Sequence, residues 1–287
     1  MKIIDTIDSY SSFKNGILKG EKIGFIPTMG ALHAGHASLI KQAQKECEYV
    51  IVSIFVNPTQ FNNSKDFKNY PSDLKGDISI LESLNVSLLF NPSEKVIYPN
   101  GAKIKDYNLD NIDNKLEGSL RPGHFQGVAT VVDRLFDLLK PDRAYFGLKD
   151  YQQVQVIKKL ASIRGDHPEI IACRIIREDT GLAMSSRNSR LNAKQKKAAA
   201  SIFRALKFAE KEIRTFPVPP DALRREMKAI INSSGELRVE KILFAFSNSL
   251  DLIDDPDSPL DHYNESVQCF ISALAGDVRL IDNYCVS

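Results

Sequence analysis

The chain has 287 residues, enough for one or two domains with a sizeable buried core. Its composition is 43% hydrophobic and 26% charged, and its net charge of +2 gives no electrostatic case for binding nucleic acid. No apolar run approaches the length of a membrane span, the polar N-terminus does not resemble a secretory signal, and the scattered cysteines argue against a zinc ribbon or disulfide scaffold. We therefore expect a cytoplasmic protein with reduced thiols and with neither a nucleic-acid nor a membrane partner.

Apolar runs alternate with helical patterns in the first part of the chain. Strands are predicted at Lys22–Pro27, Tyr49–Asn57, Val86–Phe90, Arg143–Gly147 and Ile170–Ile176. Helices are predicted at Ala37–Cys47, Ser72–Leu84 with Ser72 as the N-cap, Gly127–Leu139 and Asp150–Ile163. The second strand is apolar on both faces, as in the middle of a parallel sheet. The alternation predicts an α/β fold with a Rossmann-like doubly wound parallel sheet.

The pattern changes after residue 176. One long helix is predicted at Ala193–Thr215, and a second at Pro217–Ser234 follows a proline stop. The last part of the chain, within residues 239–246, 265–276 and 278–283, has the pattern of antiparallel strands. These elements predict a smaller α+β C-terminal domain, and the domain boundaries are expected at residues 1–176 and 177–287.

The segment Pro27–His36, "PTMGALHAGH", joins a predicted strand to the following helix. Ligands of open parallel sheets bind beyond the carboxyl ends of the strands, and helix N-termini attract anions. Gly30 and Gly35 allow a close approach of the backbone to a ligand, and His33 and His36 add imidazole donors. The combination suits a nucleoside triphosphate, although a surface cap or an H-x-x-H metal site uses the same residue types.

This segment resembles the HIGH-type signature of the nucleotidyltransferase superfamily. With "SIFVNPTQF", "RPGHFQGVATVV", "FGLKDYQQ", "GLAMSSRN" and "RLIDN" following in order, the chain from Ile23 to Asn283 resembles the pantothenate synthetase family. The resemblance implies ATP-dependent condensation of pantoate with β-alanine to pantothenate, AMP and pyrophosphate through a pantoyl adenylate. It implies ATP as a substrate with Mg²⁺, no tightly bound organic cofactor, and, by analogy, a homodimer. It also implies that residues 1–176 bind nucleotide and pantoate and that residues 177–287 carry a closing loop.

The resemblance further implies the roles of individual residues. The catalytic residues are expected to be His33, His36, Lys149 and Arg187. Contacts to ATP are expected from Met29, His33, His36, Gly147, Lys149, Asp150, Met184, Ser185, Ser186 and Arg187. Contacts to pantoate are expected from Pro27, Met29, Gln60 and Gln153, an ordering role at the pocket edge from His124, and a metal-associated acid at Asp77. Without the resemblance, Asp150 is also compatible with a helix cap, Arg187 with a surface arginine and Asp77 with a solvent-facing helix residue.

Three residues depart from the family pattern: Ser72 where arginine is common, Leu148 where glutamate is common, and Thr180 where aspartate is frequent. None of them is assigned to the chemistry. Two other functions stay open at this point. Another HIGH-type nucleotidyltransferase would need extra basic residues in its acceptor pocket. A catalytically inactive nucleotide-binding module would have no need for both histidines and the Ser-Ser-Arg segment.

Overall fold

The computed structural model describes residues 1–61, 67, 70–165, 168–255 and 259–287. These residues form two compact units, Met1–Arg174 and Ile175–Ser287. Within the described ranges, no helix has both the length and the apolar character needed to cross a membrane. All four cysteines are free thiols.

The first unit is built on a six-stranded parallel sheet, which confirms the predicted α/β, doubly wound class. Its strands are β1 (Lys2–Ile4), β2 (Ile23–Thr28), β3 (Tyr49–Ile54), β4 (Leu88–Phe90), β5 (Arg143–Gly147) and β6 (Glu169–Cys173). They lie in the order β1-β4-β3-β2-β5-β6. The chain runs outward from β2 to β4 and then crosses to the other side of β2, so the strand order reverses between β2 and β5. Ligands of open α/β sheets bind beside such a reversal.

Helices cover both faces of this sheet. They are α1 (Ile7–Lys14), α2 (Ala34–Ala43), α3 (Leu74–Ser83), α4 (Glu94–Ile97), α5 (Leu116–Leu120), α6 (His124–Leu139) and α7 (Tyr151–Arg164). Consecutive residues of β2 belong to two different apolar cores, one on each face of the sheet. Phe25 packs with residues of α6 and α7, whereas Ile26 packs with residues of α2 and α3. Burial on both faces is the reason that the β3 sequence shows no alternation of polar and apolar residues.

Helix α3 begins at Leu74, after the predicted start. Its N-cap is Asp73, whose carboxylate accepts the N–H of Gly76 at 3.0 Å. The prediction that Ser72 caps this helix was therefore wrong. An ionised aspartate at this position also interacts favourably with the positive end of the helix dipole, which explains why it is preferred over the neighbouring serine.

The second unit contains an antiparallel sheet, β7 (Arg238–Phe246), β8 (Val267–Ala275) and β9 (Val278–Cys285), which pairs in that order. Helices α8 (Ala193–Thr215) and α9 (Pro220–Asn232) pack with it around one apolar core. The predicted smaller α+β fold is confirmed. Helix α9 starts at Pro220 and not at Pro217, because a residue before proline is disfavoured in helical conformation and Pro219 is extended.

Candidate active site

The two histidines close the N-terminus of α2. His33 is the N-cap residue, and its Nδ1 accepts the N–H of Gly35 at 3.1 Å. The Nδ1 of His36 reaches back and accepts the N–H of His33 at 3.3 Å, so the pair forms a reciprocal capping box. This cap moves the helix start to Ala34, ahead of the predicted Ala37. Since both Nδ1 atoms accept, each neutral ring carries its proton on Nε2 and can donate from there.

Both imidazoles are held in the neutral form. Burial lowers the pKa of His33 to about 4, and the charge of Lys149 contributes to the shift. Burial and the neighbouring His33 lower the pKa of His36 to about 3. The rings lie 4.1 Å apart between centroids. The arrangement therefore provides two neutral hydrogen-bond donors near a cationic side chain, which suits a phosphate group.

The loop between β2 and α2 satisfies its backbone N–H groups from within the protein. The N–H of Gly30 donates to Thr28 Oγ1 at 3.2 Å, and the N–H groups of Ala31 and Leu32 donate to the carboxylate of Asp77. Asp77 is buried, so the alternative of a solvent-facing helix residue was wrong. Among the described residues, no group of three or more His, Cys, Asp or Glu could hold a metal ion. The metal role of Asp77 stays a prediction.

Strand β5 pairs with β2, and its last residue, Gly147, is followed by a short turn that carries Lys149 and Asp150. A Cβ on Gly147 would meet no atom within 4 Å, and its φ is −81°, so neither packing nor backbone strain requires a glycine there. Open space of this kind leaves room for a ligand. Asp150 occupies the N-cap position of α7 without making a capping hydrogen bond, and its Oδ1 lies 3.7 Å from Lys149 Nζ. Helix capping therefore does not explain why an aspartate stands at this position. Leu148 lies between Gly147 and Lys149, where glutamate is common in the family pattern, and it packs against the apolar core.

Gln60 lies in a short turn after β3 and contacts the loop after β2. Asn57 Nδ2 donates to Gln60 Oε1 at 3.1 Å, which fixes the amide orientation. Gln60 Nε2 then lies 3.0 Å from Met29 Sδ as a donor. Two residues predicted to line the pantoate pocket, Gln60 and Met29, are thus brought together. Pro27 lies in β2 opposite Ser53 of β3.

His124 supports the turn that carries Gln60. Its Nδ1 lies 2.7 Å from the carbonyl oxygen of Gln60, which can only accept, so this nitrogen donates. Burial lowers the pKa of His124 to about 4, and the nearby charge of Arg121 contributes. Gly127 allows α6 to approach the same turn, because a Cβ there would lie 2.3 Å from the carbonyl oxygen of Thr59.

Asn57 and Tyr98 were not singled out in the sequence, although both support the pocket. Tyr98 Oη donates to Asn57 Oδ1 at 2.8 Å, and Asn57 Nδ2 also donates to the carbonyl of Gly127 at 3.2 Å. The Asn-Pro step at the end of the predicted strand is a turn signal that could have identified Asn57. Nothing in the sequence marks Tyr98 as its partner. Gln153 lies half-buried in the first turn of α7, and no described hydrogen bond joins it to Gln60.

The predicted closing loop, residues 184–187, belongs to the second unit. Met184 ends a hairpin in which its N–H donates to the carbonyl of Ile176 at 2.9 Å. Ser185 caps the 3₁₀ turn Ser186–Arg190 by accepting the N–H of Arg187 at 3.3 Å. Ser185 is thus the N-cap of this turn, and Arg187 is half-buried and not a fully exposed arginine.

Comparison with known proteins identifies the family. The family model described as pantoate-beta-alanine ligase matches residues 2–285. A pantothenate synthetase of Cytophaga hutchinsonii is 43% identical over 268 residues, which cover 93% of either chain. One from Francisella tularensis subsp. novicida is 51% identical over 207 residues, 72% of this chain and 79% of the relative.

Solved structures agree with the sequence comparison. The pantothenate synthetase of Thermus thermophilus superposes with a TM-score of 0.87 at 35% identity, covering 100% of this chain and 99% of that one. The pantoate-beta-alanine ligase of Francisella tularensis, complexed with beta-gamma ATP and beta-alanine, gives 0.79 at 41% identity, covering 99% and 97%. The chain belongs to the pantoate–β-alanine ligase family.

Proposed function

We propose that this chain condenses pantoate with β-alanine at the expense of ATP and forms a pantoyl adenylate on the way. The observation that carries the proposal is the placement of two neutral imidazole donors, His33 and His36, on the loop whose Met29 contacts the fixed amide of Gln60. The groups that we propose to bind phosphate and pantoate therefore lie at one edge of the sheet. Membership of the family supports the same activity, as does the relative solved with beta-gamma ATP and beta-alanine.

Two displacements account for the chemistry. An oxygen of the pantoate carboxylate attacks the α-phosphorus of ATP, and the bond from that phosphorus to pyrophosphate breaks. The amine of β-alanine then attacks the activated carbonyl carbon, the bond to AMP breaks, and the amine loses a proton. Positioning and charge neutralisation suffice for the first step, so the enzyme needs no covalent nucleophile.

The proposal assigns the phosphates to groups that donate without changing protonation state. The Nε2–H groups of His33 and His36 and the ammonium of Lys149 would stabilise charge that develops on the triphosphate. Gly147 and Asp150 would contact the rest of the nucleotide. In the second unit, the proposed ATP contacts are Met184, Ser185, Ser186 and Arg187, and Arg187 would supply a planar charged donor.

The pantoate pocket is proposed to use amides and apolar walls. Gln60 Nε2 points away from its Asn57 contact and can donate to a hydroxyl or carboxylate oxygen. Gln153 would provide a second amide, and Pro27 and Met29 would line the junction with ATP. Neutral amides suit a small hydroxylated acid because they hydrogen-bond its oxygens without adding charge to the pocket.

The proposed function also includes the metal that accompanies ATP, the assembly of the chain and its location. Magnesium enters as part of the MgATP substrate, since Mg²⁺ usually binds through substrate phosphates and few protein ligands. We also propose a homodimer and a cytoplasmic location, by analogy with the family. No tightly bound organic cofactor is required by the two steps.

Product analysis tests the proposed function. The protein is mixed with MgATP, pantoate and β-alanine, and nucleotides and acids are separated by chromatography. We expect one AMP and one pyrophosphate for each pantothenate, and no AMP when pantoate is omitted. Release of ADP and phosphate would contradict the adenylate route. A nucleotidyltransferase with another acceptor would leave the nucleotide on that acceptor, and an inactive module would bind ATP without consuming it.

A further inference from the structure

The carboxylate of Asp77 reaches from helix α3 to the loop that precedes the histidines. Its Oδ2 accepts the N–H of Ala31 at 2.9 Å, and its Oδ1 accepts the N–H of Leu32 at 2.7 Å. The side chain is almost fully buried, with 3% of its surface exposed. A buried carboxylate with both oxygens bound to successive backbone N–H groups is a strong local constraint on that backbone.

The loop needs such a constraint because its backbone is strained. Gly30 has a φ of +86°, and Ala31 has a φ of +50°, a left-handed conformation that its Cβ disfavours. A Cβ added to Gly30 would lie 3.0 Å from Asp77 Oδ2, so the loop and the carboxylate are already in tight contact. Removing the two hydrogen bonds would leave Ala31 free to return to an ordinary conformation.

Strain released at Ala31 would reach both histidines through the backbone. The N–H of His33 follows directly after Leu32 and is the donor to His36 Nδ1. Movement of this N–H breaks its hydrogen bond to His36, which is one half of the capping box. The Nδ1 of His33 then no longer accepts the N–H of Gly35. The Nε2–H donors would then no longer have fixed directions.

We propose that Asp77 is a positioning residue, which holds the loop so that the Nε2–H groups of His33 and His36 face the nucleotide site. A direct metal contact would compete with the two backbone hydrogen bonds. The catalytic consequence rests on the proposed function, whereas the effect on the loop does not.

The test compares Asp77→Ala and Asp77→Asn with the matched control Asp73→Ala. Asp73 caps the same helix α3 through the N–H of Gly76, and its carboxylate makes no described hydrogen bond to the histidine loop. The control therefore weakens the helix start while leaving the loop in place. Asparagine has the shape of aspartate, but its amide can accept only one of the two N–H groups and opposes the other with a donor. The Asp77→Asn variant therefore tests the same hydrogen bonds if Asp77→Ala does not fold.

The first measurement is nitrogen NMR of the histidine side chains in the protein without substrates. We expect the wild type and Asp73→Ala to show Nε2-protonated rings at His33 and His36, and both Asp77 variants to show mixed tautomers. The second is pantoate-dependent exchange of labelled pyrophosphate into ATP. The Asp77 variants should lose about 10- to 100-fold in the maximal rate, with a smaller change in the KM for pantoate, because they displace donors and leave Gln60 in place.

Two results would overturn the proposal: unchanged tautomers in a folded Asp77 variant, or recovery of the wild-type exchange rate at raised Mg²⁺ concentration, which is the behaviour of a metal ligand. Absence of exchange in the wild type would instead contradict the proposed function. The tautomers of the two histidines would still decide the role of Asp77 in that case, so the two failures are distinguishable.

Discussion

At the scale of single residues, His36 both caps a helix and presents a donor, and suitable substitutions separate the two effects. His36→Ala removes the acceptor for the N–H of His33, so it should reduce the free energy of unfolding by about 1 kcal/mol. Loss of the Nε2–H should also slow pyrophosphate exchange by roughly 100- to 1000-fold, by analogy with the loss of an oxyanion donor. Urea unfolding and the exchange assay measure the two effects independently.

The matched control is His36→Glu. Glutamate at this helix position can complete a capping box, so the free energy of unfolding should recover. The exchange rate should not recover, because an ionised carboxylate has no proton to donate and repels phosphate. A His36→Glu protein with the wild-type exchange rate would show that His36 acts only through the cap.

At the scale of elements, the contact between α6 and the turn after β3 depends on Gly127. A Cβ there would meet the carbonyl oxygen of Thr59 at 2.3 Å, so Gly127→Ala must move backbone. We expect a loss of about 1–3 kcal/mol in the free energy of unfolding and weaker pantoate binding, because Gln60 ends the displaced turn. Calorimetric titration with pantoate measures the second effect.

Gly147→Ala provides the control for that substitution, since a Cβ there meets nothing within 4 Å. Its free energy of unfolding should stay close to that of the wild type, and its affinity for pantoate should change little. Its KM for ATP should rise, because the new methyl group occupies space proposed for the nucleotide. Normal pantoate binding by Gly127→Ala would show that the contact between α6 and the turn after β3 does not affect the pantoate pocket, which would contradict this prediction.

The hairpin before the proposed closing loop is anchored by an ion pair within the second unit. Arg177 donates to Asp282 through Nη1 at 2.5 Å and Nη2 at 3.0 Å, and its guanidinium lies 3.8 Å from the ring centroid of Phe203. Arg177→Met removes the cationic partner of the buried Asp282 carboxylate, so we expect a loss of about 3–5 kcal/mol in the free energy of unfolding of this unit. The double variant Arg177→Met/Asp282→Leu should recover much of it. Equal losses in the single and double variants in urea unfolding would contradict this role for the ion pair.

At the scale of the whole molecule, the sequence predicts the helices and strands better than it predicts unusual caps and contacts between distant residues. The bounds of β5 and α8 agree with the prediction, because a β-branched or apolar run and a long periodic stretch are local signals. The start of α2 was missed because its cap is a histidine, which is not a usual capping residue. Tyr98 could not be linked to Asn57, since the two are 41 residues apart and only the fold brings them together.

The half-buried His33 and His36 and the buried His124 predict how the free energy of unfolding depends on pH. Burial lowers the pKa of His33 and His124 to about 4 and that of His36 to about 3, whereas the pKa of a histidine in the unfolded chain is about 6.5. The unfolded chain therefore binds more protons in this window, and the free energy of unfolding should fall as the pH drops from about 6.5 to about 4. Urea unfolding across that range checks it.

His124→Asn is the control for this pH dependence. The Asn amide can donate to the carbonyl of Gln60 as the ring Nδ1 does, but it does not titrate. The slope of stability against pH should therefore be shallower in this variant. Stability that stays constant or increases on acidification of the wild type would contradict neutral burial of these rings.

Exchange of labelled pyrophosphate into ATP, with pantoate present and β-alanine absent, is the decisive measurement for the adenylate mechanism. In this mechanism the donors of the His33–His36 loop and the pocket of Gln60 together activate a carboxylate at the α-phosphorus before any amine is needed. Adenylation of this kind is reversible, so label should enter ATP only when pantoate is added, and His36→Glu should abolish most of it. Absence of exchange, with ADP and phosphate formed once β-alanine is added, would contradict the adenylate mechanism and the assignment of the histidine loop to it.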